Sequence, residues 1–98
     1  MYRQGDILIV PVPEESVPRS LRPEPRDARG RLVLAYGEAT GHCHAIAGPG
    51  TLSGGFLHLP EGARLVHEEH AAIALPKGWY RVIRQREYVP GSHRVVAD

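Results

Sequence analysis

From Arg31 onward, short apolar runs are broken by glycine and proline turns at intervals of about eight to twelve residues, and this spacing limits what the chain can fold into. The punctuation falls at Gly37, Gly48-Pro49-Gly50, Ser53-Gly54-Gly55, Pro60-Glu61-Gly62 and Pro76-Lys77-Gly78. These residues supply a fixed φ or tolerate a positive one, as tight turns require. The runs between them predict strands over 32–36, 42–47, 55–59, 63–67, 72–75 and 79–89. No apolar stripe of helical period persists for about three turns, so helix is limited to single turns within 13–30 or around 67–70. The expected fold is all-β, a small barrel or sandwich.

Residues 5–12, GDILIVPV, form a β-branched run containing Pro11, which cannot donate to a ladder; an edge strand or a strand end is expected. Residues 13–30 carry prolines at 13, 18, 23 and 25, alternating charge, and few apolar side chains beyond Val17 and Leu21. They read as an exposed, Pro- and Arg-rich loop of extended character. At 98 residues the chain suits one domain, 1–98, with 13–30 as its loop.

Composition excludes several classes. A chain that is 42% hydrophobic and 23% charged is neither disordered nor fibrous. No segment approaches the ~18 consecutive apolar residues of a spanning helix, so no membrane association is expected. The start, Met1 to Asp6, lacks the basic onset of an export signal, and a cytoplasmic location is expected. Cys43 is the one cysteine, which rules out an internal disulfide and Cys-rich zinc modules. Eleven of the twelve basic residues are arginine, yet the formal charge is only +1, so the whole molecule projects no strong positive field.

Six histidines are the unusual feature. In Gly41-His42-Cys43-His44, strand alternation puts His42 and His44 on one face, roughly 6.5 Å apart at Cα, with Cys43 facing away as a small hydrophobe. In His67-Glu68-Glu69-His70 the histidines are three apart. They share a face on a helical turn or a bulge, whereas a regular strand would pair His67 with Glu69 or Glu68 with His70. Neutral imidazoles are common donors to divalent ions, so His42, His44, His67 and His70 are the candidate metal ligands. HEEH is one residue short of the H-E-x-x-H of helical zinc proteases. His58 and His93 stand alone and read as structural or surface residues.

The order of glycine turn, His-x-His, Pro-x-Gly and a later His resembles the two metal motifs of the cupins, small β-barrels that hold a divalent ion. The matching residues are His42 and His44, then Pro60, Gly62 and His67. The carboxylate that the pattern places soon after His-x-His is absent, with Ala47, Gly48 and Pro49 in its place, and the gap from Gly62 to His67 is longer than the pattern allows. Over nearly its full length the chain resembles a family of small uncharacterised bacterial and phage-associated proteins. The shared segments are Arg3 to Asp6, Thr40-Gly41-His42-x-His44, His67 to His70, Leu75-Pro76-x-Gly78-x-Tyr80 and Arg84 to Tyr88. That resemblance implies no established activity.

On the last strand Tyr80, Val82, Arg84, Arg86 and Tyr88 share one face. Arginines flanked by tyrosines can grip phosphate or stack a base. The plainer reading is an edge strand kept soluble by its charges. The function expected is a metal-binding protein acting as a metal-dependent hydrolase or nuclease. Its cofactor would be a divalent ion such as Zn, Mn, Fe or Ni, and its partner a nucleic acid or phosphorylated substrate. Glu68 or Glu69 would take a proton from water, and Arg84 or Arg86 would steady negative charge. Two alternatives stand beside it: a non-enzymatic nucleic-acid or protein binding module using strand 80–88, and a metal-independent phosphodiesterase using two histidines. A homodimer is also compatible with exposed strand edges.

Overall fold

The computed structural model describes residues 1–37 and 41–85. Arg86, Tyr88 and His93 lie outside the described residues.

The architecture is all-β, two antiparallel sheets packed as a sandwich. The first sheet contains β1 (Tyr2–Gln4), β2 (Ile7–Val12), β5 (Thr51–Ser53), β6 (Phe56–Leu59) and β9 (Gly78–Arg84) in the order β1-β2-β9-β6-β5. The second contains β3 (Leu32–Tyr36), β4 (Cys43–Ile46), β7 (Ala63–His67) and β8 (His70–Leu75) in the order β3-β4-β7-β8. The helical element lying wholly within the described residues is a 3-10 turn at Glu14–Ser16.

Alternation along each strand builds the core. Ile7, Ile9, Leu57, Leu59 and Tyr80 from the first sheet meet Leu32, Ile46, Leu65 and Leu75 from the second, all buried. The Pro-rich segment from residue 13 onward is largely exposed but fastened at intervals. Glu24 N–H donates to Leu52 O at 2.7 Å, and the Arg26 guanidinium donates to the carbonyls of Gly30, Gly48 and Gly50.

Three expectations change. The run 5–12 is not one strand: Gly5 and Asp6 form a two-residue turn, so a separate strand, β1, precedes β2. β1 covers only Ile7 to Ile9, and Pro11 sits beyond it on the stretch of β2 that pairs with β9 alone. The missing donor of Pro11 therefore disrupts no ladder. Secondly, β9 is central, between β2 and β6, rather than an edge. Its inward residues Tyr80, Val82 and Arg84 face the sandwich, and the charge of Arg81 is on the outer face, over the Phe56 ring. Thirdly, Thr51–Ser53 forms a strand too short to stand out from the turns around it.

Candidate functional site

Two hairpins bring the site together. Glu68 and Glu69 form the turn between β7 and β8, so His67 and His70 are direct cross-strand partners, and such partners share a face. The register also slips along this ladder: one residue, Val66, lies between Leu65 and His67, while two, Ala71 and Ala72, lie between His70 and Ile73. This irregularity puts His70 on the face of Ile73 despite their odd spacing. On the neighbouring β4, His44 shares the inward face of Ile46, and His42 lies just before the strand.

The rings of all four motif histidines adjoin. Ring centroids are 4.4 Å apart for His44 and His67, 4.7 Å for His67 and His70, 5.8 Å for His42 and His67, and 6.0 Å for His44 and His70. His67 is the hub. The tightest donor group is His42, His67 and Glu68, whose ligand atoms lie within 4.8 Å of one another. Glycines make room for the rings. A Cβ on Gly37 would lie 3.3 Å from His67 Nε2, and one on Gly5, where φ is 58°, would lie 2.7 Å from His70 Nε2.

Hydrogen bonds orient three of the rings. His42 Nδ1 lies 3.1 Å from Glu69 Oε2; an ionised carboxylate only accepts, so Nδ1 carries a proton, and in the neutral ring Nε2 is the atom with the lone pair. His67 Nδ1 accepts from Glu69 N–H at 3.0 Å, which places the proton of neutral His67 on Nε2. His44, 2% exposed, has Nδ1 at 2.9 Å from Gln4 Oε1. Glu68 Oε1 accepts from Cys43 N–H at 3.0 Å. That bond, with help from His42 and His67, holds its carboxyl below the usual range.

Two residues passed over in the sequence complete the cluster. Gln4, 3% exposed, donates through Nε2 to Leu65 O at 3.0 Å and Ala71 O at 2.9 Å, beside the slip in the β7–β8 ladder. Asp6 has Oδ1 3.4 Å from His44 Nε2 and Oδ2 3.3 Å from Arg84 Nε. The signals available were the place of both residues in the shared segment Arg3 to Asp6 and the alternation Tyr2-Arg3-Gln4, which puts Gln4 on the inward face. Arg84 also donates to Tyr36 O and lines a cleft together with Val33, Tyr36, Leu52 and Val82.

Other candidates lie apart from this cluster. Tyr80 is buried and donates its hydroxyl to Pro76 O at 2.5 Å, so its ring is not open for base stacking. His58 stacks on Trp79 with centroids 4.2 Å apart, a structural contact. Cys43 is a buried free thiol.

Burial lowers the pKa of His44 below the ordinary 6.5; His67 and His70 push the same way and Asp6 pushes back. The unfolded chain therefore takes up a proton near pH 6.5 that native His44 refuses, and stability must fall as pH drops through that value towards the lower native one. Metal-free protein is expected to melt at progressively lower temperature from pH 7.5 to 5.5. His44→Asn, which keeps a donor for Gln4, should flatten that dependence; an unaltered slope would assign it to other groups.

These features define a two-sheet all-β protein with an imidazole and carboxylate cluster at one end of its sandwich. The chain belongs to the family described as a domain of unknown function, DUF8820, whose model matches residues 3–85. No curated protein and no solved structure matches it. Among the described residues no helix is long and apolar enough to cross a membrane.

Proposed function

We propose that the histidine cluster binds a divalent metal ion and that the protein is a metal-dependent hydrolase of phosphate esters, a nuclease among them, with Arg84 of the neighbouring cleft as its phosphate-binding cation. The observation that carries this reading is the adjacency of four imidazoles from two remote motifs. Two of them, His42 and His44, are anchored at Nδ1 by Glu69 and Gln4. An outer partner on one ring nitrogen is what orients a histidine for coordination through the other. His67 must give up its contact with Glu69 N–H to coordinate through Nε2, or coordinate through Nδ1 in its place.

A bound divalent ion supplies Lewis-acid activation of water near neutral pH. The chain's own groups provide the rest. Glu68, kept ionised by Cys43 N–H, accepts the proton of an attacking water. Arg84 retains N–H groups beyond those used on Asp6 and Tyr36 and can pair with a phosphate oxygen in the cleft it lines. Histidine with carboxylate suits Zn, Mn, Fe or Ni.

Elemental analysis and melting before and after chelation test this. The protein should carry stoichiometric metal, and its removal should lower the melting temperature by about 14 °C, reversed on adding metal back, since an ion at about 100 times its Kd contributes roughly 2.7 kcal/mol. Absence of metal together with an unchanged melt would refute it. Cleavage of a model phosphodiester should be chelator-sensitive and lost in Glu68→Gln.

A further inference from the structure

We propose that the outward face of the β1-β2-β9-β6-β5 sheet binds single-stranded RNA, with Trp79 stacking on a base and Arg81 holding a phosphate. The site is separate from the histidine cluster and needs no metal ion. Alternation takes Leu57, Leu59 and Tyr80 into the core and leaves Phe56, His58, Trp79 and Arg81 on the opposite face. Cross-strand register puts Phe56 beside Arg81 and His58 beside Trp79.

The chain as a whole is almost neutral, yet none of the five strands of this sheet contains an acid. The exposed Arg81 guanidinium lies 5.2 Å from the centre of the Phe56 ring and has no hydrogen-bond partner among the described residues. The ring steadies the cation, and its N–H groups remain for a phosphate. The His58 ring, 4.2 Å from Trp79 and within 17° of parallel, holds the indole in place. Trp79 and Arg81 are two residues apart on one face of β9, about 6.7 Å at Cα, which suits a base on one and its neighbouring phosphate on the other.

Trp79 also lines an open cleft of about 520 Å³, with Ser53 from β5 and Glu14, Glu15, Arg19 and Leu21 from the Pro-rich segment. Leu21 seats against Gly54, where a Cβ would lie 2.9 Å from its Cδ2, and this close fit keeps the segment beside the indole. The lining has a complement for each part of a ribonucleotide. The indole and Leu21 offer apolar surface to the base, and the two carboxylates accept from its amino groups. Arg19 is a second cation for the phosphates. The Ser53 hydroxyl has no hydrogen-bond partner among the described residues and can pair with a 2′-hydroxyl, the group that separates RNA from DNA. An apolar protein partner would instead bury Arg81 and the glutamates without serving them.

Trp79 is the one tryptophan of the chain, so a stacked base reports through its fluorescence. The test is titration of chelator-treated protein with a short single-stranded RNA of mixed sequence, alongside the same RNA as a duplex and the DNA of the same sequence. The single-stranded RNA should quench the indole and bind more tightly than the other two. The slope of log affinity against log salt should be about −1.4, as for two phosphates neutralised on a single strand. By anisotropy of labelled RNA, Trp79→Leu should bind about tenfold more weakly or worse, and Trp79→Phe should keep most of the affinity. Arg81→Gln, at an exposed position, should make the slope shallower by about 0.7, and it carries the test if Trp79→Leu folds poorly. No quenching by RNA, or wild-type affinity and slope in both Trp79→Leu and Arg81→Gln, would overturn the site. DNA bound as tightly as RNA would overturn the assignment to RNA. A dimer in sedimentation that Arg81→Glu dissociates, with no quenching by RNA, would give the face to a second copy of the chain. Binding is read without metal, so failure here leaves the metal site standing, and absence of metal leaves the RNA site standing.

Discussion

Replacing Gln4 by leucine should lower stability by about 3 kcal/mol in metal-free protein, because each buried polar group deprived of its partner costs on the order of 1–3 kcal/mol. Leucine matches the size of glutamine but serves none of the three partners Leu65 O, Ala71 O and His44 Nδ1. For a domain near 100 residues, that loss is a melting shift of roughly 15 °C. The same substitution frees the His44 ring to turn, so metal affinity should drop about 10–100-fold, the usual effect of losing an outer partner. A shift below about 3 °C with unchanged affinity would mean that the amide contributes neither to the fold nor to the ring orientation.

Leu57→Ala should cost as much stability for a different reason. Leu57 is fully buried on β6 opposite Tyr80, and truncating such a side chain costs about 2–5 kcal/mol through lost burial and the cavity left behind. That is a large share of the roughly 5–15 kcal/mol that holds a domain folded. It touches none of the cluster's hydrogen bonds, so metal affinity of the folded fraction should stay within about twofold of wild type. The pair separates stability from site chemistry: calorimetric melting should respond to both, and titration to Gln4→Leu alone. A large loss of affinity in Leu57→Ala would show that the cluster is sensitive to general loosening of the sandwich.

Much of the fold was readable because it is local. Strands β3 and β7 fall where the apolar runs predict them, and turns fall at the glycines and prolines. Alternation likewise puts His44 with Ile46 on an inward face. HEEH was readable as a motif but not as a shape: whether its histidines share a face depended on a two-residue turn and a slipped ladder, which are set by pairing with β8. The charged segment Tyr80–Arg84 looked like an edge because nothing in its own residues records that β2 and β6 flank it.

Gln4 and Asp6 stood in a shared segment, Arg3 to Asp6, but their roles were unreadable for the same reason. Their importance comes from partners 38 or more positions away, His44, Leu65, Ala71 and Arg84. By itself, then, the sequence determined the all-β class, most strand positions and the histidines worth examining, since those follow from side-chain period and backbone freedom within a few residues. Only the packing of one sheet on the other decided that the β1–β2 turn meets the β7–β8 hairpin, which carbonyls the Gln4 amide takes, and hence how the His44 ring is held.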